Sequence, residues 1–140
     1  MKKKIVVANF AHNHNMAFYD KIMAQVADLD IGLAVMNAGV AIDKEFLKVS
    51  SEKLQEMIDT NSYQVGAMLH KLNTRFKQRS KRSGVIIVSS VVAEFQFSAP
   101  KLFAYAATKI FVKYLCKIYD WENKNANRQI DTLCLQPAYV

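Results

Sequence analysis

The sequence predicts an α/β fold built on a parallel sheet, and three observations lead there. Short strand-like runs recur along the chain: Ile5 to Phe10, Leu33 to Met36, Val85 to Val88 and Ile130 to Leu135. Between them lie longer stretches with apolar residues at helical spacing. The run Val85-Ile86-Ile87-Val88 is continuously apolar, as in a strand buried on both faces of a parallel sheet. Strand and helix alternate to the end, so residues 1–140 read as a single unit of βαβαβαβ form.

Taken in order, Ile5 to Phe10 is a short β-branched strand, and Phe18 to Leu29 follows as a helix with Ile22, Val26 and Leu29 on one face. Leu33 to Met36 is the second strand. It ends in Asn37-Ala38-Gly39, where glycine permits a turn that a side chain would obstruct. Ser50-Ser51-Glu52-Lys53 has the polar signature of a helix start, and Leu54, Met57, Ile58, Asn61, Val65, Met68, Leu69 and Leu72 continue it on roughly one face. Ser83-Gly84 breaks the pattern before the third strand, which ends in Ser89-Ser90. Pro100 stops any extended element, a helix runs from about Tyr105 to Asn123, and the last strand, Ile130 to Leu135, ends at Pro137. There is no internal repeat, low-complexity tract or linker.

Composition narrows the function classes. Apolar residues make up 51% of the chain and charged residues 22%, which is a globular rather than a disordered composition. The two cysteines, Cys116 and Cys134, form no C-x-x-C pair and no cluster with histidine, which fits a reducing compartment and argues against a structural metal. His12 and His14 alternate, but no further ligands converge on them, so no metal is expected there either. No stretch approaches the ~20 apolar residues of a membrane span, so the chain as given is expected to be soluble. The net charge of +7 favours anionic partners. Much of the excess lies in one run, His70, Lys71, Arg75, Lys77, Arg79, Lys81 and Arg82. A helix C-terminus whose cations complement the dipole is preferred there over a nucleic-acid patch.

The chemistry-bearing constellation is Tyr105-Ala106-Ala107-Thr108-Lys109. A phenol and an ammonium four residues apart share one face of a helix. An ammonium near a phenol stabilises the phenolate, which makes the phenol a usable proton donor or acceptor near neutrality. Ser90, ahead of its neighbour Ser89, lies at the carboxyl end of the preceding strand, the edge where open α/β sheets bind ligands. Its hydroxyl is suited to holding a substrate oxygen. Y-x-x-x-K alone is a weak signal. Here it opens a helix after an apolar strand ending in Ser-Ser, with Asn-Ala-Gly closing the strand before and Asn61 in the intervening helix.

With those four features in chain order, the sequence resembles the short-chain dehydrogenase/reductase family over nearly its whole length. Within the family it is similar to the 17β-hydroxysteroid dehydrogenase and very-long-chain 3-oxoacyl-CoA reductase branch, on Asp28 to Leu33, Tyr105 to Phe111 and Leu133 to Val140. The resemblance implies a Rossmann-type doubly wound sheet, represented here by its third to sixth strands, with the first two strands and the final one missing. It implies a catalytic set of Asn61, Ser90, Tyr105 and Lys109, with Asn61 holding a water in a proton relay that ends at Lys109. It implies NAD or NADP as cofactor, bordered by Asn37, Ala38 and Gly39 on the adenine-ribose side and by Pro137 at the nicotinamide, with Lys109 bonded to the nicotinamide ribose. It also implies a small carbonyl or alcohol substrate of lipid or steroid type. The branch is often attached to the endoplasmic reticulum, through segments that would lie outside these residues.

Departures from the family pattern bear on activity. The four glycines, Gly32, Gly39, Gly66 and Gly84, form no glycine-rich turn of the kind that cradles a pyrophosphate at a helix N-terminus. The chain alone is therefore expected to lack the phosphate site and to be inactive. Asn9 stands where the family often has an aspartate beside the adenine, and nothing distinguishes NAD from NADP. A non-catalytic remnant or structural subunit is the second reading, supported by the missing turn. Tyr119 and Trp121 face either the core or a partner helix in a homo-oligomer. If Ile5 to Phe10 is the third strand of a 3-2-1-4-5-6 sheet, its open edge is expected either to make the chain self-associate or to pair directly with Leu33 to Met36 in a four-stranded sheet.

Overall fold

The computed structural model describes residues 3–94 and 100–138. A three-stranded parallel sheet, ordered β1-β2-β3, is built from β1 (Leu33–Met36), β2 (Ser83–Val88) and β3 (Ile130–Leu135). Register pairs Val35 with Ile86 and Ile86 with Leu133. The helices are α1 (Met16–Gln25), α2 (Ser51–Ile58), α3 (Gln64–Gln78) and α4 (Phe103–Asn125). Each parallel step is spanned by helix, α2 and α3 between β1 and β2 and α4 between β2 and β3, as a parallel sheet of Rossmann type requires.

Alternation along β2 decides which face is core. Val85 and Ile87 are fully buried and point at Val65, Leu69, Leu72 and Phe76 of α3 and at Val112 and Cys116 of α4. Burial pushes the Cys116 thiol up to about 12, so it behaves as a packing group. The opposite face carries Leu33, Val35, Leu133 and Leu135, all more than 40% exposed. Tyr119 lies in the core, whereas Trp121 is exposed.

The expected strand at Ile5 to Phe10 does not form. Residues 3–10 have no ladder partner, and Ile5 and Val7 are 87% and 93% exposed. The direct pairing with β1 does not occur, so the sheet has three strands where four were expected. The reason is that β-propensity expresses a fit to a pleated, half-buried surface. Without backbone partners an extended run has nowhere to place its donors except water. The segment is held from its far end instead. Phe10 packs on Phe18 and Tyr19 with ring centroids 6.1 and 6.3 Å away, and Lys4 pairs with Asp28 at 2.8 Å.

Helix boundaries shift for identifiable causes. α1 begins at Met16 because the Asn15 side chain accepts from the Ala17 amide at 2.9 Å, and it ends at Gln25. The next turn is closed by Arg75, whose guanidinium donates to the carbonyls of Val26, Ala27 and Leu29. Other members of the basic run are similarly employed, Arg79 on Asp30, Arg82 on Asp131 and Lys71 on Asp20. These guanidinium contacts hold the Asp30 and Asp131 carboxyls below the usual carboxylate range. The long helix expected from Ser50 is present, with Ser50 as its N-cap, but a π turn at Asp59–Tyr63 divides it into α2 and α3. Among the described residues no helix is long and apolar enough to cross a membrane.

Candidate active site

The carboxyl ends of the three strands, the π turn and the first turns of α4 converge on one region. Asp59, Thr60, Asn61 and Ser62 are all buried although all are polar. A π turn that buries four polar residues departs from ordinary helix packing, and such turns recur at functional sites. The Asn61 side chain spans from there to the loop after β1. Its Oδ1 accepts from the Val40 amide and its Nδ2 donates to the Val40 carbonyl, both at 2.8 Å, and Nδ2 also donates to Thr108 Oγ1 at 3.0 Å.

Lys109 is 4% exposed and its Nζ donates to the Val88 carbonyl at 2.9 Å. Its ammonium lies 5.6 Å from the centre of the Tyr105 ring. The i, i+4 pair read from the sequence is therefore a spatial pair. Burial pushes the Lys109 ammonium below the ordinary lysine range. Ser89 is tied into the same corner, donating from Oγ to the Lys109 carbonyl at 2.7 Å. Its hydroxyl is consumed in anchoring α4 to β2.

Ser90 and Tyr105 face a common cavity of about 280 Å³, lined otherwise by Ala41, Val91, Val92, Leu102 and Ala138. The Ser90 hydroxyl also caps the 3₁₀ turn Val91–Ala93, accepting from the Val92 amide at 3.4 Å. The chain between these two residues includes 95–99, which lie outside the described residues. Pro137 is brought beside Val91, whose amide donates to the Pro137 carbonyl at 3.0 Å.

Asn37, Ala38 and Gly39 are exposed on the rim after β1. At Gly39 an added Cβ would stand 3.3 Å from Asn61 Oδ1 and 3.4 Å from Lys109 Nζ. The absence of a side chain lets the loop run against the catalytic-type lysine.

All the residues read from the sequence as a site are thus gathered at one sheet edge. The sequence reading missed Thr108, Val40 and the anchoring use of Ser89. Thr108 was visible as the hydroxyl residue inside the Tyr-to-Lys spacing. The Val40 contacts are backbone bonds and leave no sequence signal.

Lys109 makes a prediction about pH. An unfolded lysine titrates near ~10.4, and the folded-state value is lower. Between the two, the unfolded chain binds more protons, so stability rises with pH. Urea midpoints measured across the alkaline range should show that rise in the wild type and lack it in Lys109→Met. Taking the difference cancels the tyrosines and Cys116. A rise of equal size in both chains would mean that burial of the ammonium carries no penalty.

Comparison with known proteins agrees with the fold. The family model described as short chain dehydrogenase matches residues 4–140. The very-long-chain 3-oxoacyl-CoA reductase of Anas platyrhynchos is 30% identical over 144 residues, covering 100% of this chain and 44% of that protein. The inactive hydroxysteroid dehydrogenase-like protein 1 of Homo sapiens is 28% identical, covering 97% of this chain and 40% of that protein. The chain thus spans less than half the length of these relatives. The crystal structure of 3-ketoacyl-(acyl-carrier-protein) reductase from Brucella melitensis complexed with NADH superposes with a TM-score of 0.78 at 24% identity, covering 89% of this chain and 52% of that one. A family model that takes in nearly every residue, over a parallel sheet crossed by helices as in the solved relative, identifies this chain as a member of the short-chain dehydrogenase family.

Proposed function

We propose that this chain carries the proton-transfer half of an NAD(P)(H)-dependent oxidoreductase acting on the carbonyl or alcohol carbon of a 3-oxoacyl thioester or a ketosteroid. The observation that carries it is the cavity that Ser90 and Tyr105 line together. Two hydroxyl-bearing residues beside one otherwise apolar space suit a single carbonyl oxygen flanked by hydrocarbon. Ser90 holds that oxygen, and Tyr105 gives it a proton in the reductive direction or removes one in the oxidative direction. Lys109, held by the Val88 carbonyl, supplies positive charge beside the phenol. Asn61 keeps the β1 exit loop in place against Lys109.

A nicotinamide cofactor, when bound, supplies or takes up the hydride. Lys109 would hold its ribose, with Asn37, Ala38, Gly39 and Pro137 bordering it. The NADH complex of the Brucella relative supports this family of cofactors without separating NAD from NADP. The apolar lining and the duck reductase both favour a lipid-type substrate.

The second reading, a non-catalytic chain that retains these residues, is favoured by the lack of a phosphate cradle and by the human relative described as inactive. The two are separated by supplying the cradle. Joined in frame to a glycine-rich dinucleotide-binding segment, the chain should oxidise NADH or NADPH in the presence of a 3-oxoacyl-CoA. A folded chimera that binds the cofactor and turns over no carbonyl substrate would favour the non-catalytic reading. The 140-residue chain by itself should show no measurable affinity for NAD(H) or NADP(H) by calorimetry, since it encodes no glycine-rich stretch to neutralise a pyrophosphate. Micromolar binding would overturn that expectation.

A further inference from the structure

Thr108 stands between Tyr105 and Lys109, 5% exposed, and no proton-transfer role uses it. Its Oγ1 donates to the Tyr105 carbonyl at 2.7 Å. A threonine hydroxyl has one proton, so spending it there leaves only lone pairs for any further partner. Asn61 Nδ2 donates to one of them at 3.0 Å from 47 residues away. The other Nδ2 proton goes to the Val40 carbonyl, and Oδ1 accepts from the Val40 amide. The bonds therefore link the loop after β1, through a reciprocal pair between Asn61 and Val40 and then through Thr108, to the backbone of the turn that carries Tyr105.

A threonine bonding back to its own helix is common and by itself only perturbs that helix. The buried carboxamide from another element is what makes this one a connection. Asn61 is 1% exposed and has both amide protons in use. Alanine or valine would fill the same niche but leave one of those protons without an acceptor. Of the residues that fit, only serine and threonine both donate strongly to the Tyr105 carbonyl and accept from Asn61. The spacing downstream is close, because a Cβ at Gly39, the residue before Val40, would stand 3.4 Å from Lys109 Nζ. A shift of Asn61 moves that loop against the lysine.

We propose that Thr108 is a positioning residue, which ties the Tyr105 turn of α4 to the loop after β1 through Asn61, so that phenol, ammonium and loop keep one relative geometry. Its importance for catalysis rests on the reading of Tyr105 as the proton-transfer residue, but the connection does not. The test follows hydrogen exchange by NMR in the 140-residue chain, for the wild type, Thr108→Val and Thr108→Ser. In the wild type both Asn61 carboxamide protons should exchange at least ~10-fold more slowly than those of the exposed Asn127. Thr108→Val should speed exchange of the Asn61 carboxamide and the Val40 amide by about 10-fold while leaving the Ile87 amide unchanged, and Thr108→Ser should restore both to within roughly 2-fold. Unaltered Asn61 and Val40 exchange in Thr108→Val, or a serine variant no better than the valine one, would overturn the proposal. Should the valine chain fail to fold, the wild-type measurement decides: Asn61 protons exchanging as fast as those of Asn127 exclude the connection. Failure of the Tyr105→Phe turnover test is read in a separate assay, and it would remove the catalytic reading while the exchange result stands.

Discussion

Tyr105→Phe should lower turnover of the chain joined to a glycine-rich dinucleotide segment by ~10³-fold or more, with cofactor affinity changed by no more than about 2-fold. The phenyl ring keeps what the phenol contributes to packing. It remains half-buried, and its face stays 5.6 Å from the Lys109 ammonium, an electrostatic contact that does not need the hydroxyl. What the substitution removes is the one proton donor that shares a cavity with Ser90. Ser90→Ala should cost less, about 10²-fold, because it withdraws a hydrogen bond to the oxygen and leaves the proton source in place. The order of the two effects is the informative quantity, read from kcat and kcat/KM for each variant. A Tyr105→Phe chimera with near-normal turnover would rule out the phenol as the acid, and a serine effect larger than the tyrosine effect would assign proton transfer elsewhere.

What could be read in the sequence, and what could not, divides along a physical line. β1 and β3 have the bounds that their apolar runs suggested, and Ser50 caps the helix it was expected to cap. In these places local pattern and tertiary demand agree. Tyr105 and Lys109 were legible because a helix turns a spacing of four into a contact. The strand at Ile5 to Phe10 was not, since a strand is completed by another strand and its own residues do not encode that partner. The π turn was not legible either. Its polar run, Asp59 to Ser62, reads as an exposed stretch by composition, and only the hydrogen bonds to Val40 and Gln55 show why it is buried. Ser89 and Ser90 are adjacent and alike, so their division of labour depends on what each hydroxyl meets. The Ser89 hydroxyl donates to the Lys109 carbonyl, whereas Ser90 accepts from the Val92 amide and lines the cavity.

The remaining large effect concerns the sheet. Ile87→Ala should cost about 3–4 kcal/mol, whereas Leu133→Ser, on a neighbouring strand, should fall within about 0.5 kcal/mol of the wild type. Ile87 is 0% exposed and packs in the cluster that joins β2 to α3 and α4. Truncation there removes apolar contacts and leaves a cavity that helices held on both sides cannot collapse into. Leu133 is 51% exposed on the opposite face, in register with Ile86 and, beyond it, Val35. It has less apolar contact to lose, and a hydroxyl there remains open to water. Against a total stability of ~5–15 kcal/mol the first change endangers folding, while the second leaves it untouched. Urea denaturation with sedimentation on the same samples distinguishes the cases. If Leu133→Ser cost as much as Ile87→Ala, the apolar face of Leu33, Val35, Leu133 and Leu135 would be covered in solution. A concurrent drop in sedimentation coefficient would then show that another chain covers it.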